Sequence, residues 1–464
     1  ACGAAPLVAL AAPTGKAAVR MQEAVRKSPE VLAPVHEGAP AWVTALEAST
    51  IHRLLGPAPQ GGFRHGSARH LPHDVVVVDE ASMIDVALMR HLVEAVRPDA
   101  RLVLLGDRDQ LASVAAGTVL ADLTRGAGPS NMRFSPATLK RLREIDPALG
   151  LAPLEAQDAP PLADAVVHLT ECFRQEKHSA PYEVMRVIQS LGAELGAPGG
   201  RSESSPPAVT RAVALLTGRA VESAPSCAPI EFFPHDGDRL AEAAIAAMVA
   251  GWIDIVRFAR ERPPGGRSET QRHAALLRML ARFRVLAAHR RGPFGVAGLN
   301  AEIGARLRAA LGDPRAGQGG HVAVDTPLPD GWIGRPVIVT ENRYDVGLMN
   351  GDVGIVVRGE RPGHPRIAFP GAAQGTVVYH ELAAMPPHQT VFAMTIHKSQ
   401  GSEFEHTFVV LPAFRSRILT RELLYTAVTR TSKRLSVAGD PAVLGHALAR
   451  TVDRASCLGA MLWP

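Results

Sequence analysis

Four consecutive valines followed by two acids constrain this chain more than any other stretch: Asp79 and Glu80 come directly after Val75–Val78. A run of β-branched apolar residues is typical of a strand buried on both faces of a parallel sheet. Open α/β sheets bind ligands at the carboxyl ends of their strands. One acid there can hold Mg²⁺ and the other can orient a water, as a nucleoside triphosphatase requires. The alternative is a strand that ends in a solvated acidic loop.

Composition sets broad limits on the class of protein. The 464 residues carry a net charge of +5, which permits binding to nucleic acid but does not require it. The four cysteines are far apart, so we expect neither a zinc site nor a disulfide scaffold, and a reducing cytoplasmic setting. No apolar stretch is long enough for a membrane span, and no membrane partner is expected. The start lacks Met and a basic n-region, and is typical of a chain that has lost its beginning.

Alternating strands and helices predict an α/β chain with parallel sheets and right-handed crossovers. We expect a first block over 1–125, with a hairpin insertion at about 57–73, and a connector over 126–165. A second block should comprise 166–324 and 391–464. Short strands and turn pairs at 325–390 predict a small all-β module inserted in that block. The Gly/Pro/Ser-rich segment 192–230 predicts a mobile loop.

A second strand, Leu102–Leu105, ends in Gly106-Asp107 and is followed by Gln110. A neutral amide at this position can hydrogen-bond a γ-phosphate or the attacking water. The alternative is a Gly-Asp turn with an exposed glutamine. The nearby Asp79-Glu80 strand favours the functional interpretation.

Two upstream turns predict contacts with nucleic acid. The segment Ala12–Ala18 is not a phosphate loop, because position 17 is alanine and position 10 is not glycine. The Thr14 hydroxyl, Lys16 and the backbone N–H groups could instead meet a nucleic-acid phosphate. His52 lies in a short helix capped by Ser or Thr and could touch DNA. For both turns a plain helix cap is the alternative.

Polar and basic side chains in the second block complete the candidate set. The run Thr395–Phe404 includes Thr395, His397 and Lys398, and its donors suit phosphates of DNA and nucleotide together. Arg430 ends a predicted helix, and Arg174 is a second candidate for an arginine finger on the γ-phosphate. Each arginine alone would more often form a structural salt bridge.

Taken in order, these segments resemble the motif series of superfamily 1 helicases, and most closely the RecD family, the alpha subunits of exonuclease V (the RecBCD complex). The resemblance spans essentially the whole chain. The residues that carry it are Ala12–Ala18, Ser49–Gly56, Val75–Asp85, Gly106–Leu111 with Val114–Leu120, Phe173–Gln175, Met349–Asp352, Thr395–Phe404 and Tyr425–Arg430.

The resemblance implies two RecA-like domains with ATP between them, an SH3-like module at 325–390, a hairpin wedge near 57–73, and 5′→3′ movement on single-stranded DNA. It implies RecB and RecC as partners and duplex-end DNA as substrate. It gives Asp79 the Mg²⁺ role, Glu80 water activation, Gln110 phosphate sensing, and Arg174 and Arg430 the transition-state charge. Gly401 and Glu403 are placed with the nucleotide. The DNA-side or coupling residues are Thr14, Lys16, His52, Thr395, His397 and Lys398.

One departure from the family pattern leaves two alternatives open. The family's Walker A loop, G-x-x-x-x-G-K-[ST], is absent from the 464 residues. The chain is then either a fragment of an active ATP-dependent helicase, inactive in hydrolysis as given, or a non-catalytic DNA-binding or scaffold subunit. A metal-dependent nuclease built on Asp79, Glu80, Asp107 and Asp109 ranks below both, since a phosphate-sensing glutamine and arginine fingers would have no purpose in it.

Overall fold

The structure is a computed structural model, and it describes residues 5–32, 41–59, 61–112, 117–125, 133–147, 162–194, 207–219, 230–261, 268–313, 328–343, 345–361, 363–371, 375–452 and 458–463. The chain divides into two compact units. Unit 1 comprises residues 1–172 and 453–464, and unit 2 comprises residues 173–452. No helix within the described ranges is long and apolar enough to cross a membrane.

Unit 1 is built around a four-stranded parallel sheet with the strand order β2-β1-β3-β4. Val76 and Val78 of the central β3 are fully buried, whereas Val75 and Val77 are only partly buried, so one face of the strand is less covered than the valine run predicts. The predicted strands Val75–Val78 and Leu102–Leu105 are confirmed to within one residue at each end. The elements are β1 (Val8–Ala12), α1 (Gly15–Leu32), α2 (Ala41–Thr44), β2 (Ala48–Thr50), α3 (Ile51–Leu55), β3 (Val75–Val78), α4 (Val86–Ala95), β4 (Arg101–Leu104), α5 (Val119–Leu123), α6 (Pro136–Ile145) and, after unit 2, α14 (Leu458–Leu462).

Two boundaries of the first block differ from the sequence prediction. Helix α14 belongs to unit 1 and not to the second block, because it packs on α5 and the Trp463 indole donates to the Asp122 carbonyl at 3.0 Å. The predicted connector contains α6, whose N-cap Ser135 accepts from the Thr138 N–H at 3.2 Å. Most of the remaining connector, residues 126–132 and 148–161, lies outside the described residues.

Among the described residues of the predicted hairpin at 57–73, the chain forms two small turns and not a pair of strands. Isolated bridges close them, Pro57 to Phe63 and Gly66 to Arg69. The Phe63 ring packs on His91 of α4 at 5.2 Å and on His52 at 5.7 Å. This aromatic packing holds the first turn against α3 and α4. The wedge role stays a prediction.

Unit 2 contains a five-stranded, fully parallel sheet with the order β12-β6-β13-β14-β5. Its helices and strands outside the inserted module are α7 (Ala180–Glu194), α8 (Pro207–Leu216), β5 (Glu231–Pro234), α9 (Glu242–Arg260), α10 (Glu269–Met279), β6 (Phe283–Ala287), α11 (Val296–Ala310), β12 (Ala393–Thr395), β13 (Phe404–Val410), α12 (Arg421–Thr429), β14 (Thr431–Gly439) and α13 (Pro441–Ala449).

The predicted β module is a five-stranded antiparallel sheet with the order β10-β9-β8-β7-β11. Its strands are β7 (Pro336–Val339), β8 (Val353–Val357), β9 (Arg366–Pro370), β10 (Val377–Glu381) and β11 (His388–Thr390). A small apolar core, including Val337, Ile367 and Phe369, lies on one face of this sheet. The antiparallel pairing agrees with the alternation seen in the sequence, and the SH3-like assignment stays a prediction.

The segment predicted to be a mobile loop, 192–230, contains a helix. Helix α8 buries Val209, Ala212 and Leu216 and packs against α7 and α13. Its apolar positions recur at helical spacing, but the Gly/Pro/Ser-rich flanks obscure them in the sequence. Residues 195–206 and 220–229 of that segment lie outside the described residues.

Arg284 is an unusual member of the unit 2 core, with an exposed fraction of 2% in the middle of β6. Its guanidinium donates to the Val391 and Leu280 carbonyls and lies 5.0 Å from the Trp252 ring centroid and 5.3 Å from that of Phe404. Burial lowers the pKa of Arg284 to about 9. The buried cation ties β6 to the chain segment that enters β12.

Candidate functional site

The predicted catalytic acids lie at the carboxyl edge of the unit 1 sheet. Val78 pairs with Ala11 on one side and with Leu104 on the other, so the loops after β1, β3 and β4 leave the sheet at one level. The Asp79 N–H continues the ladder by donating to the Ala11 carbonyl at 2.9 Å. The Asp79 carboxylate accepts the Glu80 N–H at 2.8 Å. Both acids therefore follow a rigid central strand.

Glu80 has a left-handed backbone, with φ 52° and ψ 39°. This conformation is rare for a non-glycine residue, and such strain concentrates at functional sites. Among the described non-glycine residues, only His178 also has a positive φ. The turn at Glu80 sends the chain back so that the Ala81 N–H donates to the Leu105 carbonyl at 2.8 Å. The strain is thus held by the neighbouring strand.

Gln110 is nearly buried, with an exposed fraction of 8%. Its amide Nε2 donates to the Asp107 carboxylate at 3.1 Å, while its Oε1 is buried and has no hydrogen-bond partner among the described residues. Ser82 Oγ, in the turn after Glu80, is another such atom. Gly106 lets the two turns approach closely, because a Cβ there would lie 3.1 Å from the Ala81 nitrogen and 3.2 Å from the Ser82 nitrogen. This edge therefore contains buried polar atoms that have no hydrogen-bond partner among the described residues.

The predicted DNA-side residues of unit 1 begin helices at the same edge. The Thr14 hydroxyl accepts the Ala17 N–H at 3.2 Å and so caps α1, which makes Lys16 a first-turn residue of that helix. Thr50, at the end of β2, caps α3 in the same way, and His52 is exposed in its first turn. The capping predicted as the alternative is therefore present. Contact with DNA is untested.

One cluster in unit 2 contains Arg174, Glu403 and Arg430. Arg174 is more than 200 residues before the other two in the sequence. Arg174 Nε donates to the Glu403 carboxylate at 3.1 Å, and its Nη1 donates to the Thr429 carbonyl at 3.2 Å. The adjacent Gln175 donates to the Val428 and Thr431 carbonyls at 3.2 and 2.8 Å. The segment that holds Arg174 is thus fastened to the end of α12.

The two predicted arginine fingers differ in exposure. The Arg174 side chain is 38% exposed, whereas Arg430 is 1% exposed. The Arg430 guanidinium donates to the Thr426 carbonyl, the Ser402 carbonyl and the Thr429 hydroxyl at 3.3, 3.2 and 3.4 Å. In this arrangement Arg430 fastens α12 to the loop before β13. Arg174 is the more accessible of the two cations.

The run Thr395–Phe404 connects the carboxyl end of β12 to the amino end of β13 in the unit 2 sheet. Thr395 ends β12, and its hydroxyl accepts the Lys398 N–H at 3.2 Å. His397 is half-buried and Lys398 is exposed. The run then passes through Gly401, whose φ of 65° favours glycine, to Glu403 and the start of β13. The predicted DNA-side residues thus lie at the carboxyl end of β12.

Glu403 and Arg430 lie at the opposite, amino edge of that sheet. Each directly precedes a strand, and the first residues of those strands, Phe404 and Thr431, are paired. The rule that ligands bind at carboxyl ends of parallel strands could not indicate this edge. Sequence reasoning also missed Ser82 and the Thr429 carbonyl, which carry no distinctive sequence signal.

Two family descriptions match parts of the chain. Residues 3–116 match the AAA domain, and residues 390–438 match the UvrD-like helicase C-terminal domain. The first match covers the unit 1 sheet and the second covers β12, β13 and most of β14. The two parallel-sheet units are RecA-like, as the resemblance implies.

Curated relatives match along nearly the whole chain. The RecBCD enzyme subunit RecD of Mycolicibacterium smegmatis is 36% identical over 99% of this chain and 66% of its own length. The subunit of the same name from Haemophilus influenzae is 30% identical over 98% of this chain and 65% of its own length. The ATP-dependent RecD2 DNA helicase of Deinococcus radiodurans is 29% identical over 96% of this chain and 44% of its own length.

A solved structure of the Pif1 helicase from Bacteroides, in complex with ADP-AlF3 and ssDNA, aligns with 97% of this chain and 86% of its own, at 14% identity and a TM-score of 0.40. The chain spans just under two thirds of the length of these curated RecBCD subunits. The order of the motifs, the two parallel sheets and the identity to the curated relatives agree. The chain belongs to the RecD-like family of superfamily 1 helicases.

Proposed function

We propose that this chain is the motor core of an ATP-dependent 5′→3′ DNA helicase subunit of a RecBCD-type complex, acting in double-strand-break repair and recombination. The observation that carries the proposal is the carboxyl edge of unit 1. There a strained glutamate follows an aspartate at the end of a central strand, and a buried glutamine keeps one acceptor without a partner among the described residues. The names of the relatives support RecB and RecC as partners, and we propose the cytoplasm as the place of action.

The side chains of unit 1 fit ATP with Mg²⁺. Magnesium in such enzymes is held by one or two carboxylates together with phosphate oxygens and waters, so a full protein cage is not needed. Asp79 can supply that carboxylate, and the described residues contain no cluster of three or more metal-ligating side chains. When bound, the nucleotide supplies a γ-phosphoryl group for transfer to water.

The residues of this chain would divide the work of hydrolysis. Glu80 accepts a hydrogen bond from the attacking water and orients it, and the Gln110 amide oxygen lies ready for the same water or for a ligand donor. Arg174 can exchange its bond to Glu403 for a phosphate oxygen, because it is partly exposed. Arg430 would have to leave three protein acceptors to do so. We therefore propose Arg174 as the cation that meets the nucleotide, with Arg430 positioning it.

The experiment compares ATP hydrolysis by the 464-residue chain with that of a chimera. The chimera carries the phosphate-loop segment of the M. smegmatis relative ahead of residue 1. We expect negligible turnover by the chain alone, because the resemblance assigns the β- and γ-phosphates to that loop, and DNA-stimulated turnover by the chimera. Binding of DNA without turnover by a folded chimera would favour the non-catalytic scaffold.

A variant of the chimera tests the role of Glu80. Glu80→Gln should lower turnover by at least about 100-fold while ATP and DNA binding persist, since general-base catalysis contributes about 10²–10⁴-fold. Glu47→Gln is the matched control, because Glu47 is exposed and precedes β2 at the other edge of the sheet. Turnover by Glu80→Gln near that of the control would refute the assignment.

A further inference from the structure

The carboxyl edge of the unit 2 sheet carries exposed cations beyond those predicted from the motifs. The loop after β6 and the loop after β13, residues 288–295 and 411–420, contain four arginines and no acidic residue. In the part of the chain that the structure describes, neither these four arginines nor Lys398 has a carboxylate oxygen within 4.0 Å of its side-chain nitrogens. Uncompensated charge of one sign raises the local concentration of anions.

An aromatic ring stands among these cations. Phe414, in the loop after β13, is 57% exposed, and its ring lies 5.6 Å from that of His289, in the loop after β6. Burial lowers the pKa of His289, so its ring is neutral at pH 7. The two rings cross at 46°, with the imidazole half-buried behind the phenylalanine. Phe414 therefore presents a supported apolar face to solvent.

The charges lie beside this ring. Arg290 directly follows His289 and is exposed. Burial of part of its side chain, and then the positive charge of Arg290, lower the pKa of Lys398. The two cations are thus within each other's field, although the first lies after β6 and the second after β12. An anion that contacts both would relieve their repulsion.

We propose that His289, Arg290, Lys398 and Phe414 form a contact for unpaired nucleotides of single-stranded DNA. A base stacks on the exposed Phe414 face, and neighbouring phosphates meet Arg290 and Lys398. The choice of DNA rests on the proposed function; the contact itself rests on the side chains. Stacking platforms beside a basic groove are how proteins hold single strands without sequence preference. An acidic peptide would satisfy the cations but offers no base for the ring.

The test is fluorescence anisotropy with a labelled 20-nucleotide oligothymidylate, titrated with the 464-residue chain over a series of salt concentrations. Phe414→Ala should weaken binding about 10-fold, within the range for loss of one stacked base, and Phe414→Trp should keep it. Arg290→Ala should lower the slope of log affinity against log salt by about 0.7, the value for one phosphate contact on a single strand.

Two controls separate the base contact from the phosphate contacts. On an oligomer of abasic sites, Phe414→Ala should bind like the parent chain, while Arg290→Ala should still be weaker. Val378→Ala and Arg278→Ala remove an exposed apolar side chain and an exposed arginine elsewhere in unit 2, and should change neither quantity. Thermal melting verifies that each variant is folded.

The inference fails if the parent chain does not bind the oligothymidylate, or if Phe414→Ala binds it within about twofold of the parent. It also fails if Phe414→Ala loses as much affinity for the abasic oligomer, because the ring would then act on the fold and not on a base. These measurements need no ATP. Loss of hydrolysis in the chimera with intact Phe414-dependent binding would refute the proposed function and leave this contact standing.

Discussion

At the carboxyl edge of the unit 1 sheet, Gln110 keeps a buried carbonyl oxygen without a described partner, whereas at the amino edge of the unit 2 sheet the Arg430 guanidinium donates to three protein oxygens. The first arrangement leaves a polar atom unsatisfied, which is unfavourable until a ligand arrives. The second gives the Arg430 guanidinium three acceptors within the protein. In the function proposed above, Gln110 would therefore meet a ligand, whereas the contacts of Arg430 hold α12 to the loop before β13.

The difference teaches how to interpret arginine motifs. A motif gives the residue type and its order in the chain, but exposure decides whether a guanidinium can reach a phosphate. Arg174 and Arg430 appear equivalent in the sequence. Their side chains differ in exposure and in the number of backbone acceptors that they serve. The following predictions test the contrast between the two edges, from the largest expected change in the free energy of unfolding to the smallest.

Arg430→Ala should lower the free energy of unfolding of unit 2 by about 3 kcal/mol. It removes a buried charged donor from the Thr426 and Ser402 carbonyls and leaves a cavity. Arg430→Lys should lose less stability than the alanine variant but more than none, because one ammonium group cannot make all the hydrogen bonds of a planar guanidinium. Urea denaturation measures both. A loss below about 1 kcal/mol for the alanine variant would erase the contrast between the two edges.

The amino edge of unit 2 should also respond to acid through His406. Its Nε2 lies 2.8 Å from Ser436 Oγ, whose hydroxyl donates to Glu231 at 2.9 Å. Burial, and then Arg434, lower the pKa of His406 to about 4. The folded pKa lies below the unfolded value of about 6.5, so stability present above pH 6.5 is lost as pH falls toward 4. The ring is partly exposed, so we expect a loss of roughly 2 kcal/mol.

Melting of the parent chain and of His406→Gln at pH 7.5, 5.5 and 4.5 measures this effect. The advantage of the parent should shrink with acidification, because the glutamine does not titrate. Glu231 and Arg434 face the imidazole and are unchanged in both proteins, which makes the difference specific to position 406. Parallel pH curves for the two proteins would exclude a depressed pKa at His406.

Gly106→Ala should disturb the carboxyl edge of unit 1 by roughly 1–2 kcal/mol. The new Cβ would lie 2.8 Å from Leu120 Cδ2 and 3.1 and 3.2 Å from the Ala81 and Ser82 nitrogens. The leucine can rotate away, but the backbone of the turn after Glu80 must shift. The free energy of unfolding of the chain and the ATP affinity of the chimera should both fall. Gly62→Ala is the control, because its Cβ would have open space around it but its φ of 78° is positive. It should lower the free energy of unfolding and leave the ATP affinity unchanged.

Arg174→Ala should change the free energy of unfolding by less than about 1 kcal/mol, since its ion pair with Glu403 is partly exposed. In the chimera the same variant should lower turnover by about 10³-fold, the lower end of the range for an arginine finger. A stability loss equal to that of Arg430→Ala would show that Arg174 is also a structural fastener.

Much of unit 1 could be predicted because its signals are local. The valine run, the acids after it and the Gly-Asp turn each lie in a few consecutive residues, and parallel pairing brings their ends together. The contacts of Arg174 with Glu403 and Thr429 span more than 200 residues, and no local pattern encodes them. The prediction assigned helix α14 to the second block, because its partner in unit 1, α5, is distant in sequence. Tertiary packing decided each of these cases.

The left-handed turn at Glu80 bears on which residues position 80 can accept. Glycine, and to a lesser degree asparagine, adopts such a backbone more readily than glutamate does. On backbone grounds alone, Glu80→Gly would relax the turn, while the carboxylate would be lost. Position 80 thus separates what the fold prefers from what hydrolysis, as proposed above, would require.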